Sequence, residues 1–358
     1  MVFKKQKLIT NDRIFWIDSL RGWAILAVIL GHLVNQLPWN SLAFAPFLSQ
    51  EISDLLNPVR LGLILFVAGL FVNSGLKKGK DIYFKGKLHS ILWPFIIWSS
   101  IYGFLKLYFS NIVNNKIEPL NLLLSTITGG QSTIWFLYTL FIFFLIIPFI
   151  RKLPIYIVIP ICWYLSLISP AIPEDSIFAG IHNNRIATAF YLFPFFYLAD
   201  WLVLHKKDIL KESKNKIVLV ISLISFLIIS ILATIPPSIV KTLFTLCLPL
   251  FSIPLFIFLS SISPIKPIIF IGKNSIVFYV LHQLLIQAVS KFIPEGSFIF
   301  KSSIGYISIL ISILLFCSAI CYLRKYSFVD LFFSSKRYAK KISKIPVQKD
   351  SVIQSYKK

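Results

Sequence analysis

In the stretch DSLRGWAILAVILGH, residues 18–32, an aspartate and an arginine stand at one end of an apolar run and a histidine at the other. An ionisable group at membrane depth costs roughly 2.5–3.5 kcal/mol on insertion scales, so residues kept there usually have a task. Arg21 and His32 are eleven positions apart. In a helix that is about three turns plus 20°, which puts both on one face, roughly 16 Å apart along the axis. Asp18 lies one turn below Arg21 and is spaced to pair with it. A neutral imidazole is the side chain best suited to take a proton from a hydroxyl near neutral pH. The stripe therefore reads as a fixed cation with its counter-ion at one end and a base at the other. The plain structural alternatives are an ion pair that anchors the helix at an interface and a polar contact between helices. The sequence contains neither a G-x-S-x-G nucleophile elbow nor an H-E-x-x-H zinc helix.

The element that carries this stripe must be a membrane helix. Of 358 residues, 57% are hydrophobic and 14% charged, and the mean hydropathy is +0.80, far above that of a soluble domain. Apolar blocks of about 17–25 residues recur, the length that crosses roughly 30 Å of hydrocarbon. Spans without alternating polarity must be helices, since only a helix satisfies its own backbone in lipid. The expected fold is all-α, a polytopic bundle of about ten transmembrane helices: 14–36, 55–76, 88–110, 134–150, 154–170, 186–204, 217–235, 240–260, 268–290 and 303–323. The apolar piece 120–128 is too short to cross and reads as interfacial or re-entrant. The first block is longer than a signal-peptide core and lacks an A-x-A exit, so no cleaved leader is expected. Three regions follow: a cytoplasmic N-terminal segment 1–13, a transmembrane domain 14–323, and a basic cytoplasmic tail 324–358.

The net charge of +22 does not mark a nucleic-acid binder, because the lysines cluster in short gaps between apolar blocks instead of along a face interleaved with stacking aromatics. Of the 36 lysines and arginines, 28 lie in the two ends and in or beside the connectors on one side, 6 in or beside the connectors on the other (Lys273, Lys106 and Lys241 being just inside span ends), and Arg21 and Arg60 lie within spans. This bias places both termini in the cytoplasm. The basic tail can lie on anionic headgroups or be solvated, and the solvated, unstructured reading is the simpler. Cys162, Cys247, Cys317 and Cys321 all lie in apolar blocks without a CxxC, so neither a disulfide framework nor a metal site is expected.

Further chemistry-bearing residues lie at the ends of other spans. In GKNSIVFYVLH, residues 272–282, Gly272 relaxes the backbone, Asn274 and Ser275 are placed to cap the ninth span and expose backbone N–H groups, and His282 shares a stripe with Ser275. Lys77, Lys78, Lys80, Lys85 and Lys87 occupy one cytoplasmic connector, with Lys85 and Lys87 nearest the next helix and best placed to reach an anion. Trp135 reads as a belt residue, His182 and His205 as surface residues, and Asp200 as a buried acid that pairs with a lysine or points into a cavity. Glu51, Asp54, Glu174, Asp175 and Arg185 lie on the outer side and are unranked.

The D-x-L-R-G pattern and the arginine followed after ten residues by His32 resemble the first helix of the membrane acyltransferase-3 family. Arg60 with LGLILFVAGLF is similar to its second helix, IWFLYTLF (134–141) to its Trp-Phe-Leu block, and IGKNSIVFYVLH (271–282) to its Gly-x-x-Ser and Tyr-x-x-His block. The resemblance covers nearly the whole membrane region. It implies a ten-helix enzyme of the bacterial inner membrane, embedded in the lipid bilayer, that takes an acyl group, typically acetyl, from cytoplasmic acyl-CoA (acetyl-CoA as donor substrate, no metal) to a hydroxyl of a cell-envelope carbohydrate acceptor such as O-antigen, capsule or exopolysaccharide. It also implies that His32 is catalytic, with Arg21 as the partner that helps hold the donor and Asp18 behind it. His32 would act as general base or carry the acyl group covalently, and the sequence leaves both open. Arg21, Lys85, Lys87, Asn274, Ser275 and His282 form the expected donor-binding set, with Asn274, Ser275 or Tyr279 stabilising an oxyanion. The family's R-x-x-R after the second span is replaced here by YFKGKLHSILWPF (83–95), where lysines act as point charges instead of bidentate arginines. The rival readings are a polysaccharide-precursor transporter or flippase and a non-catalytic membrane partner.

Overall fold

A computed structural model describes residues 2–40, 43–108, 134–169, 183–234, 238–262 and 264–337 of the chain. Among these residues there is no strand. The helices are α1 (Val2–Gln36), α2 (Phe44–Gly69), α3 (Val72–Leu76), α4 (Lys80–Lys87), α5 (Trp93–Tyr108), α6 (Trp135–Ile150), α7 (Ile155–Ile168), α8 (Asn183–Leu204), α9 (Ile209–Ser213), α10 (Lys216–Thr234), α11 (Ile239–Ile262), α12 (Lys266–Lys273), α13 (Ser275–Phe292), α14 (Ser303–Leu323) and α15 (Ser327–Leu331). Among the described residues, seven helical stretches are long and apolar enough to cross a membrane, and three shorter apolar helices accompany them. Each matches one of the ten expected spans, and the protein is an all-α polytopic membrane bundle. Its exterior suits hydrocarbon: Ile217, Ile221, Ile224 and Ile231 of α10 and Ile304, Ile311 and Leu315 of α14 all face outward.

The helix with the charged stripe is the centre of the bundle. The apolar window of α1 is 67% buried, against 28% for α14, and α1 touches α2, α11, α12 and α13. Two glycines explain how it comes so close to α12. A Cβ at Gly22 would collide with the Ile268 carbonyl, and one at Gly272 with the Asp18 carbonyl. Backbone therefore meets backbone, and the turn holding Asp18 and Arg21 is pressed against the junction between α12 and α13.

Four features differ from the sequence reading. The third span is not a plain α-helix, for Leu88–Leu92 form a π turn between α4 and α5, the wide turn that often accompanies a functional site. Asp200 pairs with neither a lysine nor a cavity: Arg151 grips it with Nε at 3.0 Å and a terminal nitrogen at 2.8 Å, while the same arginine donates to Asn73 Oδ1. Asn274 does not cap α13. Its backbone sits at φ −108°, ψ 22° instead of the extended conformation a cap requires, and its amide donates back to the Phe270 carbonyl at 3.0 Å.

The fourth difference concerns the basic tail, whose residues 324–337 are folded, not loose. Trp93 and Trp98 donate indole N–H groups to the Leu331 and Phe332 carbonyls at 2.7 and 2.9 Å. Buried Asp330 holds Arg324 at 2.8 Å and Arg337 at 3.1 Å. Ser335 meets the His89 ring at 2.7 Å and donates its N–H to the His89 carbonyl. The expected interfacial piece 120–128, His182, Glu174, Asp175 and the tail beyond residue 337 lie outside the described residues.

Candidate active site

α1 and α13 run side by side in the same direction. At one end Arg21 donates toward the Gly272 carbonyl at 3.4 Å; at the other the His32 and His282 rings are 5.4 Å apart. The eleven positions from Arg21 to His32 are thus matched by ten from Gly272 to His282. The two motifs read separately in the sequence are neighbours in space at both ends.

The Arg21 end opens into a cavity of about 470 Å³ lined by cations and polar groups (Arg21, Lys87, Ser90, Ser275, Lys336) and by an apolar wall that includes Ile25, Phe144 and Tyr279. Arg21 is positioned three ways: by Asp18 at 3.9 Å, by the Gly272 carbonyl, and by the Phe71 ring, whose centre is 5.6 Å from the guanidinium carbon. The Asp18 separation is long, so that ion pair orients more than it binds. Lys87 lies over the Phe144 ring at 3.3 Å, with Tyr83 at 5.4 Å, a cation–π seat that keeps a half-buried ammonium aimed inward. Ser90 is turned by the π helix and bonded to the Gly86 carbonyl at 2.6 Å.

Beyond Tyr279 lies the histidine pair. The Tyr279 ring, which lines the cavity, is 5.7 Å from the Phe136 ring and 6.1 Å from the His282 ring. His282 is buried, and its Nδ1–H donates to the Phe278 carbonyl at 2.8 Å. In the neutral ring this leaves Nε2 as a lone-pair acceptor, and that atom is buried without a hydrogen-bond partner. His32 is half-exposed and meets Gln36 through Nδ1 at 3.0 Å, while the Gln283 amide donates to Gln36 Oε1. In this register Gln36 donates to Nδ1 and the His32 proton is on Nε2. Turning both amides over gives the second self-consistent register, in which His32 donates from Nδ1 and leaves Nε2 as a base. On the neighbouring helix, Arg60 is bonded to Ser53 at 3.2 Å and to the Ala27 carbonyl at 3.3 Å. A Cβ at Gly31 would strike the Arg60 guanidinium, so the glycine before His32 makes room for that cation.

Of the sequence-selected residues, Asp18, Arg21, Lys87 and Ser275 gather at the cavity end, and His32 and His282 at the other. Lys85 is exposed on α4 and does not line the cavity, because it points away from the face that carries Tyr83 and Lys87. His282, expected beside Ser275 in the donor set, lies with His32 instead. Arg185 lies over the Trp135 ring, its guanidinium carbon 5.3 Å from the ring centre. Sequence reasoning missed Gln36, Gln283 and Lys336 as members of the site, and read Arg60 only as a motif residue. Gln36 had a usable signal, lying one turn beyond His32; Lys336 had none. Among the described residues no three His, Cys, Asp or Glu side chains gather as a metal site would need.

The family profile described as an acyltransferase domain, acyltransferase-3, matches residues 14–322. The chain belongs to that family. It is therefore a multi-pass membrane acyltransferase, and the match takes in both motifs and the cavity residues other than Lys336. No curated protein and no solved structure matches this acyltransferase.

Proposed function

We propose that the protein moves an acyl group, in the simplest case acetyl, from acyl-CoA at the cytoplasmic face of a bacterial inner membrane to a hydroxyl of a cell-envelope carbohydrate such as O-antigen, capsule or exopolysaccharide. The observation that carries this reading is the parallel α1–α13 pair, with a cationic cavity at one end and two imidazoles at the other. Arg21 and Lys87 hold the donor's phosphates, and Ser275 lies beside them. The acyl-bearing arm follows the apolar wall past Tyr279 to His32.

There the acceptor hydroxyl attacks the thioester carbonyl, its proton passes to His32 Nε2, and the carbon–sulfur bond breaks to release the CoA thiolate, which takes a proton from the imidazolium or from water. Tyr279 and Arg60 are the groups best placed to steady the oxyanion of the tetrahedral intermediate. Asp18 orients Arg21, and the Gln36–Gln283 pair sets which nitrogen of His32 carries the proton.

The test is direct. Membranes holding the protein are given radiolabelled acetyl-CoA, and envelope glycans with and without the gene are compared by mass spectrometry. O-acetylated glycan that depends on the gene and disappears in His32→Ala, at unchanged protein level, supports the reading. Normal O-acetylation in His32→Ala overturns it.

A further inference from the structure

We propose that Lys336, carried by the folded C-terminal segment, is a third cationic ligand for the donor's phosphates, completing with Arg21 and Lys87 a polyanion site at the mouth of the cavity. This inference rests on the acyl-CoA reading above and adds to it a residue that lies past the family match at 14–322.

The placement of Lys336 is a consequence of how residues 324–337 are held. Asp330, buried at 5% exposure, clamps Arg324 and Arg337 on either side, and Arg337 also donates to the Arg324 carbonyl at 2.9 Å. The indoles of Trp93 and Trp98 pin the next two carbonyls. Ser335, the residue before Lys336, is fixed to His89 through both backbone and side chain. His89 belongs to the same π turn as Ser90 and follows Lys87 by two positions. The segment is thus fastened to the turn that directly follows the cavity cation Lys87, and Lys336 is delivered to the cavity by a chain of directed bonds.

Charge says what the rim is for. Three cations line the cavity, and no aspartate or glutamate lines it among the described residues. Lys87 and Lys336 are near enough for their like charges to act on one another. Three cations lining one cavity favour an occupant that carries several negative charges. A nucleotide-linked thioester, with its phosphates at one end and an uncharged arm at the other, fits the polar rim and the apolar wall together. An anionic lipid headgroup shares the phosphate chemistry and is the competing source.

The experiment measures binding of acetyl-CoA and of acetyl-pantetheine, which lacks the nucleotide and its phosphates, to the full chain in phosphatidylcholine nanodiscs. Wild type is compared with Lys336→Ala, Lys336→Arg and Arg21→Ala. Lys336→Ala is expected to bind acetyl-CoA about three- to tenfold more weakly, between the value of an exposed ion pair and that of a charge-assisted hydrogen bond. Lys336→Arg should restore most of the loss, and acetyl-pantetheine should not distinguish the proteins. Wild-type affinity in Lys336→Ala, with Arg21→Ala weakened, overturns the role of Lys336 and leaves the donor reading standing. Equal binding of acetyl-CoA and acetyl-pantetheine by wild type overturns the donor reading itself. A Lys336 effect seen only when phosphatidylglycerol is added to the discs assigns the lysine to lipid and overturns the proposal.

Discussion

His32 and His282 face each other across the α1–α13 contact with ring centres 5.4 Å apart and planes inclined by 34°. One imidazole is half-exposed and the other is buried, with its Nδ1–H tied to the Phe278 carbonyl. On the proposed reading the accessible ring meets the acceptor and the buried one acts through its neighbour. His32→Ala should therefore lower kcat by about 10²–10⁴, the range for loss of a general base. His282→Phe, which keeps a ring in place but removes Nε2, should lower kcat by about tenfold or more with donor affinity unchanged. Single-turnover acetyl transfer and acetyl-CoA binding measured side by side check both, and wild-type turnover in His282→Phe would remove His282 from the chemistry.

Gln36 bonds the His32 ring at Nδ1, and Gln283 in turn bonds Gln36. If they set the tautomer, their loss is felt in turnover and not in donor binding, as when the orienting group of a catalytic histidine is removed. Gln36→Leu should cost about tenfold or more in kcat, while KM for acetyl-CoA stays within about twofold. A mainly KM effect would move Gln36 to the donor site and contradict this assignment.

Arg21 and Lys85 lie in the same expected donor set, yet only Arg21 lines the cavity. Arg21→Ala should weaken acetyl-CoA binding about tenfold or more, because a half-buried arginine held by three partners contributes charge-assisted hydrogen bonds. Lys85→Ala should change it less than twofold. Isothermal titration of the purified protein separates the two, and a Lys85 effect as large as that of Arg21 would contradict the side-chain arrangement.

Asp200 and Arg151 join α8 to the turn after α6, with Asp200 only 1% exposed. Removing one partner strands the other charge, which costs about 3–5 kcal/mol at a buried site. Asp200→Ala should therefore lower Tm and membrane yield sharply. The double variant Asp200→Leu with Arg151→Met should recover much of the loss, since an apolar pair of similar volume removes the stranded charge. Thermal unfolding in detergent reads both, and a double variant as unstable as the single one would mean that the pair's geometry, not its charge, holds the turn.

The ten spans and the Asp18–Arg21–His32 stripe were legible because they depend on local rules, hydropathy over twenty residues and rotation by 100° per residue. The meeting of His32 with His282 was not, since it depends on α1 and α13 running parallel, and nothing near either histidine specifies a partner about 250 residues away. Asn274 misled because its type suits a cap while its backbone, at the break between two helices, does not. Residues 324–337 misled through composition: the basic count of the tail masks the short apolar run SFVDLFF, residues 327–333, whose single acid, Asp330, organises two arginines. Arg60 is placed by its contact with Gly31, a matter of distance between helices that sequence spacing does not encode.

Because Arg21 and His32 belong to one helix, the distance between them is set by hydrogen-bonded backbone, whereas Gly272 and His282 stand on either side of the break at Asn274. Thinning of the bilayer or tilting of the outer helices changes the surroundings of α1 without altering the roughly 16 Å between anchor and base. On the proposed reading, α1 thus acts as a gauge for the donor: an arm too short would leave its thioester below His32 however tightly its phosphates were held.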